Sequence, residues 1–196
     1  MATKAADSLT EYAARIQATF NTRFWNAGSG CLFDVVDGEA GDDPACRPNQ
    51  IFSMSLRYPV LDPRYWDAVL DTVRRELLTP VGLRSLSPAH PDYKRQYFGD
   101  LRTRDAAYHQ GTVWSWLIGH FIDAWLARYP DGAEDARRFV TPAMAHLDQG
   151  CVGSVSEVFD AEAPYAPRGC IAQAWGVAEW LRAWERTATP PGPPSP

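Results

Sequence analysis

Apolar residues recur along this chain at intervals of three and four positions, the period of helices that bury one face. Six helices are predicted from this pattern, over residues 8–24, 48–57, 62–77, 111–128, 133–147 and 170–186. The segment at 111–128 is apolar nearly all round, which is typical of a fully buried helix. Pro142 is expected to kink or restart the fifth helix, because proline lacks the N–H of a helix interior. A short extended segment is predicted at 31–38.

The predicted helices alternate in character, which indicates a structural repeat. The first, third and fifth are amphipathic, whereas the second, fourth and sixth follow polar loops and begin near residues 48, 111 and 170, spaced by 63 and 59 residues. Three αα-hairpins of similar length are therefore expected, with their inner helices parallel and the free N–H groups of those helices on one face. One domain is expected over 8–186, between a lead-in at 1–7 and a disordered proline-rich tail at 187–196. The aperiodic connection at 79–108 has the length of a functional loop.

Composition narrows the possible partners. The 196 residues carry a formal net charge of −5, and no cluster of Lys and Arg suggests a nucleic-acid partner. Neither a membrane span nor a signal peptide is indicated, so we expect a cytoplasmic protein with no membrane contact. Reduced thiols, no metal and no cofactor are expected, because no CxxC spacing joins the four cysteines, Cys31, Cys46, Cys151 and Cys170. Eight tryptophans give a weak indication of carbohydrate binding.

Polar residues concentrate at three junctions between a loop and a predicted helix. The first contains Arg47, Asn49 and Gln50 around Pro48, a pattern that by itself favours a simple helix start. The second runs from 104 to 114 and combines an ion-pair candidate, a histidine, an amide and a tryptophan: Arg104, Asp105, His109, Gln110 and Trp114. Polar groups beside an apolar helix need partners, which are either one another or a ligand.

The third junction surrounds Glu157, which is flanked by apolar residues and followed by the segment that contains Gln173 and Trp175. From spacing alone, Glu157 is either a structural hydrogen-bond acceptor on the surface or a carboxylate held into a cleft, and the structural role is favoured. Asp160 is compatible with a turn.

The ordered set RPNQIF, ELLTPVGLRSLSP, RDAAYHQGTVW, SVSEVFD and GCIAQAW closely resembles the C-terminal part of the amylo-α-1,6-glucosidase family of glycogen-debranching enzymes. The resemblance extends over nearly all of residues 8–186. It implies an all-α fold in which αα-hairpin repeats form about half of an (α/α)6 barrel. It also implies hydrolysis of α-1,6-linked glucose, on glycogen or a branched α-glucan oligosaccharide, with inversion by two carboxyl groups roughly 6.5–9.5 Å apart. The chain departs from the family pattern at Ser115, Ala161 and Gly176, where the family often has Pro, Gly and Ser.

Matched position by position, the resemblance implies a role for each junction. Glu157 takes the place of the general base, supported by Gln173 and Trp175. The glucose subsite would be lined by His109, Gln110 and Trp114, and shaped or braced by Arg47, Asn49, Gln50, Arg104 and Asp105. The family's general acid lies upstream of the matched region, and neither Asp105 nor Asp160 matches it.

Six helices are half of the number that a closed barrel needs, which affects both assembly and function. A half barrel would expose apolar helix faces, so we expect a homo-oligomer or an N-terminal half-barrel partner. Two other functions remain compatible with the sequence. In the first, the chain is a non-catalytic carbohydrate-binding half-barrel or partner subunit. In the second, it is another glycosidase of the α/α-barrel type, such as a glucoamylase or trehalase relative.

Overall fold

The computed structural model describes residues 2–188, with side chains from residue 8 onward. About half of the chain is helical, which confirms the helical character expected from the sequence. The α-helices of the described part are α1 (Ala2–Phe24), α2 (Phe52–Ser55), α3 (Trp66–Glu76), α4 (Leu101–Ala107), α5 (Leu117–Arg128), α6 (Ala133–Val140) and α7 (Ala174–Arg186). Shorter 3₁₀ turns lie at Pro48–Ile51, Pro63–Tyr65 and Thr141–His146.

Short strands accompany the helices, so the expectation of an all-α fold is wrong in this respect. β1 (Trp25–Asn26) pairs with β2 (Cys31–Leu32), and β3 (Val35–Gly38) pairs with β4 (Gly41–Asp43). A five-stranded antiparallel sheet follows in chain order, built from β5 (Leu78–Thr79), β6 (Gly82–Arg84), β7 (Val113–Trp114), β8 (Val158–Phe159) and β9 (Pro167–Arg168). The strands of the five-stranded sheet have only two or three residues each, which is too short to give the alternating pattern by which strands are recognised in a sequence.

Helix α5 lies at the centre of the packing and contacts α2, α3, α6 and α7. Its residues Ile118, Phe121 and Ile122 are fully buried, which confirms the prediction of a buried fourth helix. Against it, α3 presents the apolar face predicted from its periodicity, including Val69 and Val73, neither of which has any exposed surface. The core of the protein therefore follows the 3.6-residue period of these two helices.

Helix boundaries follow local chemistry in some places and tertiary pairing in others. The Asp62 carboxylate accepts a hydrogen bond from the Arg64 N–H at 3.0 Å, as expected of a residue that caps a helix start. Helix α6 ends at Val140, and the chain continues as a 3₁₀ turn through Pro142, which confirms the predicted interruption. The predicted extended segment at 31–38 is confirmed as β2 and β3.

Several predicted boundaries need correction. The fourth helix starts at Leu117 rather than at 111, because residues 113–114 form β7 between β6 and β8. The sixth helix starts at Ala174 rather than at 170, and the second is a 3₁₀ turn followed by one α-helical turn. The connection at 79–108 contains β6 and α4. The first helix begins at Ala2 rather than at residue 8.

At the C-terminal end, Thr187 is buried and its hydroxyl donates a hydrogen bond to the Ala183 carbonyl at 2.8 Å. The rest of the predicted tail, from residue 189 onward, lies outside the described residues. Within the described part of the chain, no helix combines the length and the apolar character needed to cross a membrane.

Candidate active site

A cleft of about 680 Å³ lies where the three junctions meet. Seven of the predicted site residues line it: Arg47, Asn49, Asp105, His109, Gln110, Trp114 and Trp175. They come from the 3₁₀ turn before α2, the end of α4, the segment before α5 and the start of α7. Residues that are far apart in the sequence are thus brought to one surface by the packing of α5 against α2 and α7.

Arg47 joins three segments of the cleft wall. Its Nη1 donates hydrogen bonds to the backbone carbonyls of Ser85 at 3.0 Å and His109 at 2.6 Å. Its Nη2 donates to Oε1 of Gln110 at 2.7 Å, and its Nε lies 3.3 Å from a carboxylate oxygen of Asp34. Because the Arg47 and Asp34 side chains are only 18% and 16% exposed, this ion pair is shielded from water. The guanidinium therefore fixes the position of the Gln110 amide beside the cleft.

Aromatic rings form two flat surfaces of the cleft. The rings of His109 and Trp114 are stacked, with centroids 5.2 Å apart and an interplanar angle of 2°. Trp116 and Trp175 stack with centroids 3.8 Å apart, and Trp175 remains 49% exposed. Such rings offer broad apolar faces next to polar groups, a combination that suits the apolar face and the hydroxyls of a sugar.

The imidazole of His109 is kept neutral by its surroundings. Partial burial lowers the pKa of His109 first, and the positive charge of Arg47 lowers it further. A neutral imidazole has one N–H donor and one nitrogen acceptor. At neutral pH, His109 can therefore both donate to and accept from a hydroxyl group in the cleft.

The carboxylate of Glu157 is held at both oxygens. Its Oε1 accepts a hydrogen bond from the Tyr108 hydroxyl at 2.5 Å, and its Oε2 accepts one from the Cys170 N–H at 3.0 Å. Burial raises the pKa of Tyr108, as does its hydrogen bond to Glu157, so the phenol stays a neutral donor. Glu157 is not among the cleft-lining residues, but Tyr108 packs against Trp114 with ring centroids 4.7 Å apart.

Gly169 leaves the space that the Glu157 carboxylate occupies. The backbone of Gly169 has φ +67°, and a Cβ at this position would lie 2.5 Å from Oε2 of Glu157. Only glycine satisfies both conditions, because other residues pay strain at positive φ and would push the carboxylate away.

Two of the departures from the family pattern are in contact. The Ser115 hydroxyl is buried and donates hydrogen bonds to the backbone carbonyls of Ser156, at 3.0 Å, and Glu157, at 3.2 Å. A Cβ on Gly176 would lie 2.5 Å from this hydroxyl. The serine and the glycine are therefore compatible as a pair, and the serine braces the backbone of Glu157.

The structure gives three predicted site residues contacts that differ from the expected ones. Gln50 is buried and its amide bonds to backbone groups of Arg47, at 2.9 Å, and Leu32, at 3.3 Å. Arg104 does not line the cleft, and no ion pair joins it to Asp105 within the described residues. Trp175 stacks on Trp116.

Gln173 has an unusual environment. Its backbone N–H donates to the Val155 carbonyl at 3.0 Å, while its Oε1 is buried and accepts no hydrogen bond from the described residues. An unsatisfied buried amide oxygen costs about 1–3 kcal/mol. Gln173 is therefore suited to accept a hydrogen bond from a bound molecule or a water.

Sequence reasoning missed three contributors to the site. Asp34 and Trp116 line the cleft, and Tyr108 holds Glu157. Burial raises the pKa of Asp34, against the effect of the hydrogen bond from Asn49 at 3.3 Å. A carboxylate inside a predicted extended apolar segment was the available signal for Asp34. Within the described residues, no three His, Cys, Asp or Glu side chains are grouped as metal ligands.

Comparison with known proteins gives three similarities. The family model described as Amylo-alpha-1,6-glucosidase matches residues 2–182. The chain is 30% identical to the glycogen debranching enzyme of Saccharomyces cerevisiae over 93 residues, which are 44% of this chain and 6% of that protein. It superimposes on neutral trehalase from Saccharomyces cerevisiae with a TM-score of 0.58 and 14% identity, over 87% of this chain and 29% of that one. The chain therefore spans a small part of both proteins, and the trehalase likeness concerns the fold alone.

Proposed function

This chain belongs to the amylo-α-1,6-glucosidase family, and on that premise we propose that it takes part in hydrolysing an α-1,6-linked glucose of a branched α-glucan. Glu157 acts as general base: it accepts a proton from a water that attacks the anomeric carbon, and the configuration at that carbon inverts. The observation that carries the proposal is the fixed carboxylate of Glu157, held by Tyr108 and the Cys170 N–H. An ionised carboxylate has about four lone-pair sites, so acceptor capacity remains for the water.

The cleft is proposed as the glucose subsite. His109 and the Gln110 amide, which Arg47 orients, supply polar contacts to hydroxyl groups. The ring faces of Trp114 and Trp175 supply the apolar contacts. Neutral partners of this kind suit an uncharged sugar and give no advantage to an anion.

Inverting hydrolysis needs a second carboxyl group as general acid. Asp160 is unsuited to this role, because its buried carboxylate pairs with Arg168 at 2.8 Å and accepts the Tyr97 N–H at 2.9 Å. We propose that the helices described above form about half of an (α/α)6 barrel, with α2, α5 and α7 on the inside. The remaining half then supplies the acid: an N-terminal partner would bring the family's acid, whereas a second copy would have to use another carboxyl group of this same chain.

The test compares the parent chain with Glu157→Gln and with Glu185→Gln, a matched control on the exposed surface of α7. Dextrin binding is measured by calorimetry, and glucose release from a phosphorylase-limit dextrin is followed by NMR. We expect all three proteins to bind dextrin. If a second copy supplies the acid, β-glucose should be the first product, and Glu157→Gln alone should lose at least a hundredfold of the release, since a general base contributes about 10²–10⁴-fold.

Each other outcome has a defined meaning. Equal release by the parent and Glu157→Gln would exclude Glu157 as the base. Binding with no release by the parent would mean that a second copy does not supply the acid. That result leaves an N-terminal partner as its source, or the alternative of a non-catalytic carbohydrate-binding half-barrel or partner subunit. If none of the three proteins binds dextrin or releases glucose, the proposal that the cleft is a glucose subsite is refuted.

A further inference from the structure

Two cysteines that play no part in the proposed hydrolysis lie side by side next to the cleft. Cys31 belongs to β2 and is 1% exposed, while Cys46 is partly exposed and directly precedes Arg47. Their thiols share a side-chain hydrogen bond, and both are free. The Ser29 hydroxyl lies 3.2 Å from the Cys31 sulfur.

The side chain of Gln50 gives independent evidence that the two cysteine segments are neighbours. Its Nε2 lies 3.7 Å from the sulfur of Cys46, and its Oε1 accepts the N–H of Leu32 at 3.3 Å, the residue next to Cys31. Since Gln50 is buried, this bridge holds both segments in place. A pair of thiols held in contact is preorganised for a disulfide, because little chain entropy is lost when the bond forms.

We propose that Cys31 and Cys46 form an oxidation site, at which hydrogen peroxide converts the two thiols into a reversible intrachain disulfide. The Cys31 thiolate attacks one peroxide oxygen, so that an S–O bond forms, the O–O bond breaks and one water leaves after protonation. The Cys46 sulfur then attacks the sulfur of Cys31, the S–O bond breaks, and the released hydroxide takes the Cys46 proton as a second water. Both cysteines are oxidised by one peroxide, which is reduced to two waters.

Local interactions favour Cys31 as the sulfur that reacts first. The hydrogen bond from Cys46 lowers the pKa of the Cys31 thiol, and Ser29 and the charge of Arg75 lower it further, against the opposing effect of burial. The same hydrogen bond and burial raise the pKa of Cys46. A thiolate beside a protonated second thiol matches the roles of an attacking and a resolving cysteine.

The disulfide would enclose a segment that forms part of the cleft wall. Between Cys31 and Cys46 lie the β3–β4 hairpin and the carboxylates Asp34 and Asp43, both of which line the cleft. Arg47, the partner of Asp34, follows Cys46 directly. Oxidation is therefore expected to restrict the motion of this wall without adding any group to the cleft.

The test uses the full chain carrying C151S and C170S, so that Cys31 and Cys46 are the remaining thiols. After hydrogen peroxide treatment, intact-mass spectrometry should show loss of two hydrogens. When the treated protein is then unfolded in guanidinium, both thiols should resist alkylation until dithiothreitol is added. Adding C46S should abolish this loss and allow the Cys31 sulfenic acid to be trapped with dimedone. Amide hydrogen exchange over 35–43 should slow after oxidation.

Two results would overturn the proposal. One is full alkylation of both thiols when the peroxide-treated protein is unfolded without a reductant. The other is dimedone labelling at equal levels with and without Cys46, which would mean that Cys46 does not resolve the sulfenic acid. Circular dichroism of each variant, with C46A as a second replacement, separates a loss of the disulfide from a loss of folding.

Discussion

The hydrogen bond between Tyr108 and Glu157 can be tested by a double-mutant cycle on stability. Tyr108→Phe removes the hydroxyl, Glu157→Ala removes the carboxylate, and the double variant removes both. The Cys170 N–H loses its partner in either variant that lacks the carboxylate, so this cost cancels in the cycle. The coupling free energy then reports the Tyr108–Glu157 contact alone.

The structure sets the expected magnitude of this coupling. A hydrogen bond to a charged group contributes about 1.5–3 kcal/mol, and here the Tyr108 hydroxyl donates to the Glu157 carboxylate. Both side chains are only half-buried, so solvent screening favours the lower end of the range. We expect a coupling of about 1.5 kcal/mol, roughly a tenfold change in the unfolding constant.

Urea unfolding of the four proteins, followed by circular dichroism, measures this coupling. Tyr97→Phe in place of Tyr108→Phe is the matched control, because the Tyr97 ring packs on Tyr108 with centroids 5.4 Å apart and makes no hydrogen bond to Glu157 within the described residues. The control cycle should be additive within about 0.5 kcal/mol. Additivity in the Tyr108 cycle as well would show that the hydroxyl does not stabilise the carboxylate, and would refute the argument.

Three further predictions concern the same region. Gly169→Ala should lower the free energy of unfolding more than Gly153→Ala, because both glycines have positive φ but only a Cβ at 169 meets the Glu157 carboxylate; equal losses in urea unfolding would contradict the proposed clash. Burial raises the pKa of Asp34, so the protonated carboxyl is favoured in the folded protein. This stabilisation is complete below the ordinary pKa of about 3.9 and is lost as pH rises through the pKa of the folded state. The unfolding free energy of the parent relative to Asp34→Asn should therefore fall as pH rises above about 4, and a difference that stays constant with pH would count against it. Trp175→Ala should weaken dextrin binding by roughly fivefold, about 1 kcal/mol for a lost ring contact, while an unchanged dissociation constant by calorimetry would remove Trp175 from the subsite.

The parts of the fold that were predictable are those governed by local periodicity. The apolar faces of α3 and α5 follow the 3.6-residue period over three turns, and their buried residues are those the pattern indicated. The interruption at Pro142 was predictable as well, because a missing N–H acts within one turn of its own position. The start of α5 was not predictable. Apolar residues at 113–114 fit a helix and a strand equally well, and only their pairing with β6 and β8 shows that they form a strand.

In the candidate site too, some residues were predictable from the sequence and some contacts were not. Motif order identified the family and seven cleft-lining residues, a set that includes Arg47, His109 and Trp114. It did not identify Tyr108 as the partner of Glu157 or Asp34 as the partner of Arg47, since these contacts join positions 49 and 13 residues apart. The catalytic and binding roles themselves remain predictions that the experiments above address.

The sequence by itself determined the helical core, the interruption of α6 and the family, because each depends on residue type and spacing along a continuous stretch of chain. The tertiary structure alone decided which side chains meet. The packing of α5 between α2 and α7 brings three distant junctions to one cleft, and the short strands of the β5–β9 sheet set where α5 begins. Hydrogen bonds and ion pairs depend on distances of about 3 Å, which a linear pattern of residues does not contain.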